Sequence, residues 1–184
     1  MSVLKAAFAG ILLCFSAFSQ AGIIPLGGAG TFSGTVIGDS GWALENPQGV
    51  DFLTFSVEHE TELSASATSA LIAMGVSLFE GTVTNPNLPS FSNNADFTDL
   101  FGNLTYIASS SAVPGLGGSI ANILLAPGTY TLITGGNNGG FGFDFTAYNY
   151  QLDLALTTIS EPPLLAIFLA GATGLVASRR RKVK

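Results

Sequence analysis

Three stretches of this chain put apolar and polar residues on strictly alternating positions, and that period of two is what most narrows its fold. Leu63, Ala65 and Ala67 alternate with Glu62, Ser64 and Ser66. Ile72, Met74, Val76 and Leu78 share one parity, and Tyr148, Tyr150, Leu152, Leu154 and Leu156 share another against Asn149, Gln151 and Asp153. A strand sends successive side chains to opposite faces, so each stretch reads as a half-buried strand. Five further strands are expected at Thr31 to Ile37, Val50 to Val57, Leu104 to Ser109, Ser119 to Leu125 and Thr129 to Thr134. Turn residues separate them: Asn85-Pro86-Asn87, Ser92-Asn93-Asn94, Val113-Pro114-Gly115, Pro127-Gly128 and the glycine-rich run from Gly135 to Gly140. No segment between Gly22 and Ile159 carries helical periodicity. About eight short strands with turns between them predict an all-β, antiparallel sandwich of jelly-roll type. The region 22–159 is long enough to bury a core without disulfides.

Charge is distributed just as unevenly. The chain has 184 residues, 12 acids and 6 bases, and the bases are Lys5, Arg179, Arg180, Arg181, Lys182 and Lys184. From Ala6 to Ser178 there is no lysine or arginine, which excludes phosphate-led nucleic-acid binding, since nothing there can release counterions. The acids of the middle region, all but Glu161 of the twelve, find no internal cation other than His59. They are solvated or meet a hard cation. Calcium is therefore the one metal to consider, with oxygen-rich Asp96-Phe97-Thr98-Asp99 beside Asn93 and Asn94 as its candidate place, although no EF-hand pattern is present. Solvated loop acids are the simpler reading, and no cofactor is required.

Both ends read as addresses. Lys5 begins a positive n-region, Ala6 to Phe18 is an apolar h-region, and Ser19-Gln20-Ala21 offers small residues to a signal peptidase, so residues 1–21 form a signal peptide cut between Ala21 and Gly22. Acylation of Cys14 and an uncleaved anchor helix are the alternatives. At the other end, Pro162 and Pro163 break what precedes them, and residues 164–178 run without a charge into a basic tail. A helix can start near Pro163, whose missing N–H has no partner there. Fifteen helical residues span roughly 22 Å, a marginal transmembrane helix. The positive-inside rule puts Lys5 and the tail on the cytoplasmic side and the domain between them outside.

The segment 160–184 resembles the C-terminal signal of the PEP-CTERM proteins, exported bacterial proteins that end in a Pro-Glu-Pro motif, a short apolar helix and an arginine cluster. Ser160 stands where the family has its first proline; Glu161 and Pro162 match, and Arg179, Arg180, Arg181 and Lys182 supply the basic finish. The resemblance implies an exosortase, a membrane transpeptidase, as the partner that reads the signal. It also implies export by the Sec translocon, transient anchoring in the inner membrane, and a final place at the cell surface or in the extracellular matrix of a Gram-negative bacterium that makes exopolysaccharide. A plain stop-transfer anchor is the alternative. The middle is similar to bacterial pre-peptidase C-terminal domains through Phe32-Ser33-Gly34-Thr35-Val36, Val50-Asp51-Phe52-Leu53-Thr54-Phe55, Val76-Ser77-Leu78-Phe79, Leu125-Ala126-Pro127-Gly128-Thr129-Tyr130 and Tyr150-Gln151-Leu152-Asp153-Leu154. That resemblance implies a non-catalytic accessory or surface module.

Chemistry has few carriers. A Ser-His or Cys-His arrangement must use His59, the single histidine, in an exposed Glu58-His59-Glu60 segment, and the exported part has no cysteine. Paired carboxylates for glycoside hydrolysis remain possible in a sequence, but Trp42 is the one tryptophan that could serve as a sugar platform, and it reads as a core or rim aromatic. No catalytic, cofactor-binding or metal-ligating residue is assigned. The expected function is a non-enzymatic surface or matrix protein with a structural or adhesive role; the alternative is a surface-displayed carbohydrate- or calcium-binding module. Few charges and strand edges without lysine leave room for self-association, as monomer or fibre.

Overall fold

The computed structural model describes residues 23–37, 49–84, 96–99, 102–111, 113, 115–138 and 146–160. Within them lie ten strands and no helix: β1 (Ile23–Pro25), β2 (Gly30–Ile37), β3 (Val50–Val57), β4 (Thr61–Thr68), β5 (Ala73–Glu80), β6 (Phe97–Asp99), β7 (Gly102–Ser109), β8 (Ser119–Leu125), β9 (Gly128–Asn137) and β10 (Ala147–Thr158). All eight expected strands are present. The two additional ones, β1 and β6, have three residues each, too few to display a period.

The strands form a six-stranded sheet in the order β1-β3-β9-β5-β7-β6 and a four-stranded sheet in the order β2-β10-β4-β8. Apart from β5–β6 and β6–β7, every connection crosses from one sheet to the other, so except for the β6–β7 pair neighbours in a sheet are not consecutive in sequence; β10 lies between β2 and β4. All pairs are antiparallel except one. β1 runs parallel to β3, pairing Ile23 with Phe52 and Pro25 with Thr54, which corrects the wholly antiparallel expectation. A short parallel edge is possible because β1 and β3 are joined by a long connection that includes β2.

The main core lies between the sheets. Leu53, Phe55, Met74, Val76, Leu78 and Leu132 face Val36, Leu63, Leu125, Leu152 and Leu154 across it. Phe55 and Tyr130 stack at 5.8 Å between ring centroids. Each fully buried side chain of this size contributes about 1.5–3 kcal/mol by leaving water. A second apolar cluster, Val50, Phe52, Phe79, Val83, Leu104 and Ile133, occupies the other face of the six-stranded sheet, with Tyr106 edge-on to Phe79. That sheet is therefore buried on both faces, and β3 and β9 read as nearly continuous buried runs. The four-stranded sheet is buried on one face only, which is why β4 and β10 alternate so cleanly.

Glycine departs from its expected role in one place. Gly135 and Gly136, expected in a turn, extend β9 to Asn137 and pair with Gly75 and Met74 of β5. A side chain at Gly136 would run into the Ile72 side chain, so this glycine serves close packing and not a reversal.

Candidate functional site

The solvent face of the four-stranded sheet gathers small polar side chains. Strand alternation turns Thr31, Ser33 and Thr35 of β2 outward, along with Asn149, Gln151 and Asp153 of β10 and Ser64, Ser66 and Thr68 of β4. Register places them in rows: Thr31, Asp153, Ser66 and Ser119 stand side by side across all four strands, and Ser33, Gln151 and Thr68 across three. The Thr31 hydroxyl donates to Asp153 Oδ1 at 2.6 Å, and Gln151 Nε2 donates to the same carboxylate at 3.3 and 3.4 Å. Thr35 donates to Asn149 Oδ1 at 3.1 Å. Two shallow hollows, each of about 480 Å³, open on the sheet: one bounded by Ser33, Thr35, Thr68, Ser69, Asn149 and Gln151, the other by Thr31, Ser64, Ser66, Ser119, Asp153 and Ala155. Hydroxyls and amides line the first, whereas the second is mainly apolar, floored by Ala65, Ile120, Ala121 and Leu154 beneath its rim of hydroxyls and the Asp153 carboxylate; neither holds a cation. Such a surface can exchange hydrogen bonds with an uncharged, hydroxyl-rich ligand; it offers an anion no counter-charge.

Directly beneath, a buried polar link joins the sheets. Asp51 shares its parity on β3 with Leu53, Phe55 and Val57, so its carboxylate points into the sandwich. Tyr150 points inward from β10, and its hydroxyl donates to Asp51 Oδ2 at 2.8 Å. Both residues are 4% exposed. Burial raises the Tyr150 phenol far above its usual range, and the Asp51 charge and the hydrogen bond to it push the same way. Room for the ring comes from Gly34, directly opposite Tyr150 in the ladder: a side chain at 34 would overlap the phenol. The link fixes β10, the central strand of the polar face, to β3 of the other sheet.

The residues singled out from sequence are scattered. Glu58, His59 and Glu60 form the exposed turn between β3 and β4, and the His59 carbonyl accepts the Thr61 hydroxyl at 2.8 Å. Asp96 spends Oδ1 on the backbone N–H of Tyr106 at 2.7 Å, a structural hydrogen bond on the β7 ladder. Among the described residues no group of three or more His, Cys, Asp or Glu could hold a metal ion. Asn93, Asn94 and Trp42 lie outside the described residues, as do Ala21, Gly22, Glu161, Pro162, Arg179, Arg180, Arg181 and Lys182; Ser160 is described, exposed and past the end of β10. Among the described residues no helix is long and apolar enough to cross a membrane, and the expected span 164–178 lies outside them. Neither the polar face nor the Asp51–Tyr150 link was assigned from sequence. The signal for the link was available, because an acid on the inward parity of an apolar strand demands a buried partner.

No family model matches the chain, and no curated protein matches it. Among solved structures it is similar to the pre-peptidase C-terminal domain of a collagenase from Bacillus anthracis, at 20% identity over 73% of this chain and 95% of that one, with a TM-score of 0.43. A surface-associated copper-binding protein important in copper acquisition by Methylomicrobium album gives 11% identity, 68% and 92% coverage and a TM-score of 0.46. A periplasmic inhibitor of g-type lysozyme from Aeromonas hydrophila gives 10%, 73% and 96%, and 0.42. TM-scores below 0.5 at such identities assign no ligand or activity to this chain.

Proposed function

We propose that this is a non-enzymatic exported protein of the bacterial surface or extracellular matrix, delivered by a C-terminal sorting signal and serving a structural or adhesive role. One observation carries the reading: the bases are confined to the two ends of the chain, where they flank apolar runs, and the last of them close a Glu-Pro, apolar, Arg-Arg-Arg-Lys sequence. In this reading residues 1–21 direct the chain to the Sec translocon and are removed, 22–159 form the exported domain, and 160–184 hold it in the inner membrane until an exosortase acts near Ser160, Glu161 and Pro162. The strand orders β2-β10-β4-β8 and β3-β9-β5-β7 support a jelly roll. Mass spectrometry of the protein recovered from its host, with and without the exosortase, tests the sorting step. Loss of everything after about Glu161 that depends on the enzyme is the expected result; an intact Lys184 in both strains would make the helix a permanent anchor.

The polar face favours a second reading, a module that binds an uncharged polysaccharide such as a matrix exopolysaccharide through the row Thr31, Asp153, Ser66 and Ser119. Glycan binding by the protein, lost on replacing Gln151 and Ser66 with bulky residues, would favour it over a passive structural role.

A further inference from the structure

Asp51 holds its carboxylate inside a domain whose sequence, residues 22–159, has no lysine or arginine to meet it. A charge taken out of water is costly unless a cation or several hydrogen bonds attend it. His59, the one other basic side chain of the region, follows the far end of β3, past Val57. Tyr150 supplies a hydroxyl and no charge. The strand beside Asp51 points to another source. β1 flanks β3 on the side away from β9, and it is the parallel strand, so the chain enters both from the same end. Ile23 pairs with Phe52, and Asp51 is the residue before Phe52. Bond geometry alone keeps the backbone nitrogen one residue before Ile23 within about 5 Å of the Ile23 Cα, and neighbouring strands lie about 4.8 Å apart. An antiparallel β1 would instead have brought its entering end toward Leu53. Ile24, two positions after residue 22 and so on its parity, packs against the main core that Asp51 faces.

We infer that removal of the signal peptide creates the missing cation: the new α-ammonium group of Gly22 sits beside Asp51 and forms with it an ion pair that exists only in the processed chain. The pair depends on the proposed cleavage between Ala21 and Gly22. Hydrolysis of that peptide bond gives the hydroxyl of water to the Ala21 carbonyl and a hydrogen to the Gly22 nitrogen, which changes from a neutral amide into an amine that takes up a further proton at neutral pH. Glycine brings no side chain to obstruct its approach. Of the elements packed round Asp51, β10 presents Tyr148 and Tyr150 on its inward parity, Thr134 of β9 lies opposite, and the inward positions of β2 and β4 carry no titratable group. Amine and carboxylate are therefore the one pair of opposite charges there. Maturation thus completes the fold, because the precursor holds the same buried acid without its partner.

The exported protein, kept as a whole chain in detergent, supplies the test. Mass spectrometry of its N-terminal chymotryptic peptide identifies the first residue, and the pH dependence of acetylation of that α-amine gives its pKa. A value about one unit above the ordinary one of about 8 is expected. A raised amine contributes stability that is fully present below about pH 8 and is lost as the pH rises through the folded value. A chain carrying one extra alanine ahead of Gly22 moves its amine out of reach and should melt lower than the wild type at about pH 7. Asp51→Asn, which keeps an acceptor for the Tyr150 hydroxyl, is expected to return the amine to about 8 and to make the two N-termini melt alike, with circular dichroism checking that the strands persist. A mature chain that begins elsewhere than Gly22 would overturn the cleavage reading and this inference with it. An ordinary amine on a chain shown to begin at Gly22 would overturn this inference alone, as would a raised value that survives Asp51→Asn or an unchanged melting temperature with the extra alanine.

Discussion

Tyr150 shows how much one side chain does in a sandwich without internal cations. Its hydroxyl is the donor that lets Asp51 sit inside, so Tyr150→Phe leaves a buried carboxylate short of a hydrogen bond at a cost of about 1–3 kcal/mol. The same residue sets an alkaline limit. Its phenol is raised from 10.0 by burial and then by Asp51, so above that pH the unfolded chain releases a proton that the folded one keeps. Stability is fully present below about pH 10 and falls above it by up to about 1.4 kcal/mol per pH unit for this group. Tyr130, raised by burial and by Glu80, adds to the slope. Urea unfolding from about pH 9 to about pH 11 should give a shallower decline for Tyr150→Phe than for the wild type; parallel curves would show that Tyr150 ionises freely in the fold.

Among the elements, legibility followed burial. β4 and β10 bury one face and announced themselves by alternation; β3 and β9 bury both, so only their length and β-branched content marked them. β1 and β6 were invisible because three residues carry no period, and the pairing of strands so far apart in sequence leaves no local trace. Within the candidate site, the outward parity of Asn149, Gln151 and Asp153 was legible, whereas their alignment with Thr31 and Ser66 required the register. β8 carries its own test. Asn122 tolerates a left-handed backbone and its N–H donates to Ser64 Oγ at 3.2 Å, so Asn122→Val should destabilise the domain by about 1–2 kcal/mol. Asn122→Gly should stay near the wild type in the same denaturant titration, and a neutral valine would mean that the bulge relaxes.

At the scale of the whole molecule, composition makes an unusual promise about proteolysis. With no lysine or arginine from Ala6 to Ser178, trypsin should leave even the urea-denatured domain as a single fragment, whereas chymotrypsin, offered ten phenylalanines between residues 22 and 159, should cut it into many. A tryptic ladder on a gel would contradict the sequence itself. The place where the chain leaves the sandwich has a different consequence. β10 ends opposite Thr61, and the Ile159 N–H donates to the Glu60 carbonyl at 2.8 Å, so the C-terminal segment departs beside the β3–β4 turn. Whatever follows Ser160 thus leaves from an acidic doorstep: Glu58, Glu60 and Glu62 are all exposed there, and among the described residues His59 is the one side chain that can offset them.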